Sequence, residues 1–189
     1  MIKIALFASG SGSNVENIAN YFKNSKSIQI SKVYTNKSNA GVLERCKRLG
    51  LESLVFSKND FYNSTAILID LQKSSDAIIL AGFLWKIPEN LINAFPNKII
   101  NIHPALLPKY GGKGMYGMNV HRAVKENNES ESGITIHYVN EKYDEGAVIF
   151  QAKTDLVSSD SPEDIAQKIH KLEYEHFPKV IEKTLINNG

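Results

Sequence analysis

The sequence predicts an α/β fold: one domain built on a mostly parallel, twisted sheet with antiparallel additions in its C-terminal half. Three observations predict it. Short apolar runs alternate with amphipathic stretches through the first hundred residues, the signature of βαβ units. A turn rich in Gly and Ser follows the first apolar run directly, where an open α/β sheet binds its ligands. The second half then changes to two strands with period-two alternation, which suits strands added antiparallel to the sheet.

Taken in order, the parallel part has strands at Ile2 to Ala8, Ile28 to Tyr34, Ser53 to Phe56, Asp76 to Ala81 and Lys98 to Ile102. Helices fall between them at Asn14 to Lys23, Ala40 to Leu49, about Asp60 to Lys73, and Pro88 to Ala94. Pro88 suits a first helical turn, where its missing N–H would be unpaired anyway. A Gly- and Pro-rich loop, Pro104 to Met118, leads to a helix near Asn119 to Glu126. The late strands are Gly133 to Asn140, where Ile134, Ile136 and Tyr138 alternate, and Ala147 to Leu156. The alternation predicts one wetter face on these strands. The last helix starts at Ser161-Pro162-Glu163-Asp164, an N-cap serine with Pro at the first position and acids in the first turn. Pro178 is expected to kink it. No linker, repeat or low-complexity tract interrupts this order, so the expectation is a single domain over 1–189.

Composition narrows the function classes. Over 189 residues, 42% hydrophobic and 22% charged, a real core is affordable, and disorder is excluded. A net charge of +2 implies neither a nucleic-acid nor a membrane partner. The acids between Glu126 and Glu131 are diluted by Asn and Ser and read as a solvated helix end. Cys46, without a second cysteine, fits a reducing compartment and reads as buried filler in an amphipathic helix. The N-terminal apolar run is too short for a membrane span and has no small-residue cleavage site behind it, so a cytoplasmic protein is expected.

The loop Ser9-Gly10-Ser11-Gly12-Ser13-Asn14 lies between the first strand and first helix. Free backbone N–H groups and the helix dipole favour an anion there, and Ser11, Ser13 and Asn14 add side-chain donors. A dinucleotide fingerprint needs a third Gly where Val15 stands, and a Walker A loop needs a Gly-Lys-Ser/Thr that is absent. The loop therefore reads as a site for a single phosphate, against the plainer reading of a tight, capped turn.

The run Lys98-Ile99-Ile100-Asn101-Ile102-His103-Pro104 reads as a buried strand ending in polar groups. Period two puts Asn101 and His103 on one side at the carboxyl end of the sheet. Pro104 biases His103 toward an extended backbone. An imidazole titrates near pH ~6.5, and a carboxamide can donate to a developing oxyanion. Alone, a histidine at a strand end is more often structural. Asp144, in the turn between the late strands, is by itself a turn former that could also hold a His or a water. His137, on the strand before it, divides between packing and support of the site. His121, His170 and His176 show no ligand spacing with each other or with Cys46, so no metal site is expected.

Four segments carry a resemblance: Gly-Ser-Gly-Ser-Asn (10–14), Leu-Ala-Gly-Phe (80–83), Asn-Ile-His-Pro-Ala-Leu-Leu-Pro (101–108) and Gly-Ile-Thr-Ile-His-Tyr-Val…Tyr-Asp-Glu-Gly (133–146). Together they resemble the phosphoribosylglycinamide formyltransferases of the folate-dependent formyltransferase superfamily, over nearly the whole chain. The resemblance implies a Rossmann-like domain that moves the formyl group of 10-formyltetrahydrofolate, its co-substrate, to the amine of phosphoribosylglycinamide in purine biosynthesis. It implies a phosphate- and substrate-binding half (about 1–100) and a catalytic and folate-binding half (about 101–189). Gly12, Ser13 and Asn14 match the substrate-phosphate loop, and Asn101, His103 and Asp144 the catalytic trio. Leu84, Trp85, Lys86 and Ile87 match the segment against the folate pterin, and Asn101 is a further folate-binding candidate. Glu173 matches an acid that contacts substrate, although on its own it reads as a solvated flank of the last helix. Where the family often has an Arg near the folate tail, this chain has Lys58 and Asn59, and Asn59 is the candidate there. The loop Tyr110 to Met118, with four glycines, is longer than the common bacterial form and reads as a mobile lid.

The expected partners are these small molecules, with no nucleic acid and no membrane, in a monomer or weak homodimer. Other readings share parts of this pattern. A methionyl-tRNA formyltransferase would add a basic C-terminal RNA-binding domain, and a formyltetrahydrofolate hydrolase an N-terminal regulatory domain. A catalytically idle nucleotide-binding module would not need Asn101, His103 and Asp144 together.

Overall fold

The computed structural model describes residues 1–187, so the last two positions of the expected domain lie outside the described residues. The chain runs β1 (Ile2–Phe7), α1 (Ser13–Phe22), β2 (Ile28–Thr35), α2 (Val42–Leu49), β3 (Ser53–Val55), α3 (Lys58–Tyr62), α4 (Ala66–Ser74), β4 (Ala77–Leu80) and α5 (Glu89–Ala94). It continues with β5 (Ile99–His103), α6 (Met118–Glu126), β6 (Glu131–Tyr138), β7 (Val148–Asp155) and α7 (Pro162–Asn187).

The strands form one sheet in the order β3-β2-β1-β4-β5-β6-β7. β1 to β5 are parallel, and β6 and β7 pair antiparallel at one side, as the sequence pattern predicts. The chain winds outward from β1 through β2 and β3, then crosses back to β4 on the other flank of β1. That reversal leaves a crevice beyond the carboxyl ends of β1 and β4, the place where open α/β sheets hold ligands.

Alternation along the strands feeds two cores, one on each sheet face. Ile4, Leu6, Ile79, Ile100 and Ile102 pack on one side with Val15 and Ile18 of α1 and Ile165, Ile169 and Phe177 of α7. Ala5, Phe7, Ile78 and Ile99 pack on the other with an aromatic group of Tyr34, Phe56, Phe61 and Phe83. Phe7 stacks on Tyr34 at 4.8 Å between centroids and meets Phe83 edge-on at 5.2 Å. Cys46 is buried among apolar neighbours, and burial pushes its thiol up.

Several sequence expectations need correction. The helix expected over Asp60 to Lys73 is two helices. Ser57 starts α3 with a reciprocal capping box to Asp60, and α3 ends at Tyr62, capped by Asn63, before α4 begins at Ala66. Pro88 is the extended residue before α5 and not in its first turn. β6 has no wet face: six consecutive residues of it are buried, because it lies inside the sheet between β5 and β7. β7, at the edge, shows the expected exposed alternation. The stretch from Glu126 to Glu131 is a largely exposed helix end, as expected, where Glu129 and Glu131 pair at the surface with Lys109 and Lys153. The last helix begins as expected, with Ser161 and Asp164 bonding each other's backbone N–H, and it continues past a buried Pro178.

Candidate active site

The carboxyl ends of β1, β4 and β5 open into a cavity of about 460 Å³, which is also lined by parts of the 112–118 segment, α6 and α7. β1 leaves through the glycine loop. Gly12 has φ 78°, and a Cβ there would sit 2.5 Å from Val42 Cγ2, so only glycine fits between the loop and α2. α2 braces the loop in return: the Val42 N–H donates to Gly10 O (3.1 Å) and Arg45 Nε donates to Ser11 O (2.7 Å). Helix α1 starts at Ser13 without a side-chain cap. Its first-turn N–H groups and the positive end of its dipole are therefore free for an anion in the cavity, beside Ser11 and Ser13.

The Asn14 side chain departs from expectation. Rather than standing free as an anion donor, Nδ2 donates to Glu173 Oε2 at 3.0 Å, tying α1 to α7 across 159 residues of sequence. The same oxygen accepts from His170 Nδ1 at 2.9 Å. Glu173 is only 5% exposed, so it is part of the cavity wall and not a solvated flank.

Asn101 and His103 face the cavity together, on the side of β5 opposite Ile100 and Ile102. In the antiparallel register Asn101 lies beside His137 and His103 beside Thr135. His137 Nδ1 is 2.8 Å from Tyr138 O, a carbonyl that can only accept, so the proton is on Nδ1. Nε2 is then the acceptor for Asn101 Nδ2 at 3.1 Å. That bond fixes which way the carboxamide points and leaves its second N–H for a ligand. The same reasoning applies to His103. Nε2 lies 2.7 Å from Tyr110 O and carries the proton, so Nδ1 is the nitrogen able to take one.

Asp144 closes the group. It sits in the left-handed region at φ 56°, which aspartate tolerates in turns, and its carboxylate lies between two rings. Oδ2 is 3.6 Å from His103 Nδ1 and Oδ1 is 3.7 Å from His137 Nε2. These are ion-pair distances for a protonated ring, not hydrogen bonds to a neutral one. The Gly112 N–H donates to Oδ2 at 2.9 Å. Burial pushes the Asp144 carboxyl up, but the His137 and His103 rings and the Gly112 amide together hold it below its ordinary value. For His103 the balance falls the other way. Burial lowers it and outweighs the upward pull of Asp144 and the Tyr110 carbonyl, so the ring rests neutral. Asp144 therefore pulls the His103 pKa up without overcoming the effect of burial.

The 104–118 loop is anchored at its root. Thr135 Oγ1 donates to Ala105 O (2.7 Å) and accepts from the Leu107 N–H (3.0 Å). Tyr110 OH donates to Glu129 (2.9 Å), and Met115 packs on the core. Tyr110 and Gly112 thus hold the two catalytic candidates through backbone groups, a role invisible in side-chain patterns.

Of the residues matched to folate contacts, Leu84 lines the cavity, and its N–H donates to Ser9 Oγ at 3.0 Å. Trp85 packs against Phe56, Phe61 and Tyr62. Lys86 is exposed, and its carbonyl accepts from Tyr62 OH. Ile87 is buried in the second core. Asn59 is exposed on α3 and is 3.4 Å from Asn63. These last four do not line the cavity. His121 and His170 do line it, although their spacing spoke only against a metal. Among the described residues, no group of three His, Cys, Asp or Glu could hold a metal ion, and no helix is long and apolar enough to cross a membrane.

A parallel sheet with two antiparallel edge strands, a phosphate-type loop after β1 and an Asn-His-Asp group at the end of β5 define a formyl transferase domain. The family model described as formyl transferase matches residues 2–181, and the chain belongs to that family, among its phosphoribosylglycinamide formyltransferases. A Bacillus subtilis phosphoribosylglycinamide formyltransferase is 36% identical over all of this chain and 97% of its own length. The chloroplastic enzyme of the same name from Arabidopsis thaliana is 39% identical over 95% of this chain, which spans 64% of that longer protein. The crystal structure of the Streptococcus pneumoniae phosphoribosylglycinamide formyltransferase matches with a TM-score of 0.86 at 32% identity, over 98% of this chain and 99% of that one.

Proposed function

We propose that the chain transfers the formyl group of 10-formyltetrahydrofolate to the amine of phosphoribosylglycinamide, a step of purine biosynthesis. One observation carries the reading: a single cavity joins the uncapped start of α1 to the Asn101–His103–Asp144 group. An anionic handle at one end and an acid–base group at the other suit a phosphorylated substrate whose reactive amine lies remote from its phosphate. The cavity also suits a flat, ring-bearing second substrate, because Leu84, Tyr116 and Tyr143 present exposed apolar surface on its lining.

The amine attacks the formyl carbon, forming the new C–N bond and placing negative charge on the formyl oxygen. The spare N–H of Asn101, oriented by His137, donates to that oxygen; one such donor is worth about 3 kcal/mol of barrier. The attacking nitrogen must lose a proton, and neutral His103 takes it at Nδ1. The imidazolium so formed is stabilised by Asp144 at 3.6 Å and by the Tyr110 carbonyl at 2.7 Å. It then returns the proton to the folate nitrogen as the old C–N bond breaks, so no net proton is gained or lost.

The test is the spectrophotometric appearance of deformylated folate with and without phosphoribosylglycinamide. Release that requires this acceptor, with formylated product, supports the proposal. Equal release without it means hydrolysis, and release only with methionyl-tRNA means a different acceptor.

A further inference from the structure

The carbonyl bonded to His103 Nε2 belongs to a residue in an uncommon backbone conformation. Tyr110 has φ 58°, in the left-handed region that a side chain as large as tyrosine rarely occupies. The direction of its carbonyl matters, because the 2.7 Å bond keeps the His103 proton on Nε2 and leaves Nδ1 free. Such a conformation persists only where contacts outside the turn hold it.

The Tyr110 side chain supplies those contacts. Its ring packs against the core, and its hydroxyl donates to Glu129 Oε1 at 2.9 Å. Lys109 Nζ donates to the same oxygen at 2.9 Å, so one carboxylate grips two successive residues of the loop. Glu129 is fixed in turn by the end of α6. The N–H of Asn128, at φ 50°, donates to Lys125 O and the N–H of Glu129 to Val124 O, the paired bonds of a Schellman turn. The Tyr110–Glu129 bond is also stable in its chemistry. Burial and the Glu129 carboxylate push the Tyr110 phenol up to about 12, so it stays a donor at neutral pH. Lys109 and Tyr110 hold the Glu129 carboxyl below its ordinary value, so it stays an acceptor.

Resting on the formyl-transfer reading, we propose that Glu129, through the Tyr110 hydroxyl, is a positioning residue for His103, although Glu129 lies outside the cavity. It holds the Tyr110 peptide so that the carbonyl fixes the proton on Nε2 and steadies the imidazolium when Nδ1 takes a second proton. The other charges that act on the ring are those of Asp144, His137 and Glu173, and all three stay in place when this anchor is cut.

The experiment measures kcat, KM for phosphoribosylglycinamide and the acid limb of the kcat/KM profile in the full chain. The variants are Tyr110→Phe, which loses one oxygen and keeps the packed ring, Glu129→Ala, and the two combined. Glu129→Gln retains an acceptor, and Lys109→Met removes only the ion pair. Tyr110→Phe and Glu129→Ala should each lower kcat about 3- to 10-fold, the usual net effect of one hydrogen bond, with KM almost unchanged. The acid limb should move to lower pH in both, because the Tyr110 carbonyl pulls the His103 pKa up. The double variant should lose no more than either single one, Glu129→Gln should recover most of the rate, and Lys109→Met should match the unaltered enzyme. An unchanged kcat and acid limb in Tyr110→Phe overturn the inference even if that variant melts earlier, as do losses that multiply in the double variant. A Lys109→Met enzyme as slow as Glu129→Ala also overturns it, since the ion pair and not the tyrosine bond would then hold the loop. In each of these cases formyl transfer by the unaltered enzyme leaves that reading standing. Absence of transfer in the unaltered enzyme sinks both.

Discussion

Replacing His121 by phenylalanine should remove a defined part of the protein's acid sensitivity. The ring is buried, and its pKa falls from 6.5 to about 4, chiefly through burial and next through the His170 charge, against a smaller upward pull from Glu173. The unfolded chain therefore binds a proton at this residue near pH 6.5, while the folded one resists until about pH 4. In that window the unfolded state holds more protons, so stability falls as pH drops. A gap of about 2.5 pH units at ~1.36 kcal/mol each gives a loss of about 3 kcal/mol between pH 6.5 and 4. Against a typical total of ~5–15 kcal/mol, that is a measurable share. Urea unfolding at half-unit steps from pH 4 to 7.5, run on the unaltered protein and His121→Phe, isolates it, because the carboxylates cancel in the difference. The stability advantage of the unaltered protein over the variant should shrink by about that amount on acidification. Parallel curves for the two proteins would refute the argument, and would mean that water or Glu173 keeps the ring charged.

The remaining predictions concern the catalytic group and its supports. Asp144→Asn removes a charge that raises His103, so the acid limb of the kcat/KM profile should move to lower pH while turnover at neutral pH falls about 10²-fold or more; an unmoved limb would uncouple the two residues. His137→Phe frees the Asn101 carboxamide, so kcat should fall with little change in KM, and a KM effect alone would contradict an orienting role. Asn14→Ala should chiefly raise KM for phosphoribosylglycinamide, because it unties Glu173 and loosens the phosphate end; unchanged KM would remove that end from the substrate site. Gly146→Ala places a Cβ 1.7 Å from Tyr138 O, so β6 and β7 must part there; a thermal melt should fall by several degrees, and an unchanged melt would show that the turn yields freely.

The parallel half was legible because its signals are local. Apolar runs of strand length, the turn at Gly10 to Asn14 and the Asn101-Ile102-His103-Pro104 strand end all reflect geometry within a few residues. Where reading failed, the cause was long-range. Thr135 and His137 made β6 look half-wet, but their side chains serve the site: Thr135 pins the loop at Ala105 and Leu107, and His137 orients Asn101. Polar residues in a strand mark a solvent face only when function does not bury them. Glu173 looked like a flank because its partner Asn14 is 159 residues away. His121 carried a weak local signal, since it sits next to Val120 on the inward side of a short amphipathic helix, and a spacing argument aimed at metals passed over it. Backbone partners such as Tyr110 O and Gly112 N–H have no residue-type signal at all.

These long-range bonds also tie the proposed binding and catalytic ends of the cavity into its wall. Two of the catalytic candidates, His103 and Asp144, are held by a segment that also lines the cavity. His103 and Asp144 are both bonded to the backbone at 110–112, and Gly112 and its neighbours through Met118 form cavity wall. Asn14, at the uncapped start of α1, fixes Glu173 on α7, and His170 shares the same oxygen. If the proposed substrate's phosphate binds at the start of α1, the Asn14–Glu173 bond links it to the α7 wall, and any shift of 110–112 would move the Tyr110 carbonyl bonded to His103. In the proposed reaction, such bonds would let binding energy from the remote phosphate help order the cavity wall, as remote-handle catalysis requires.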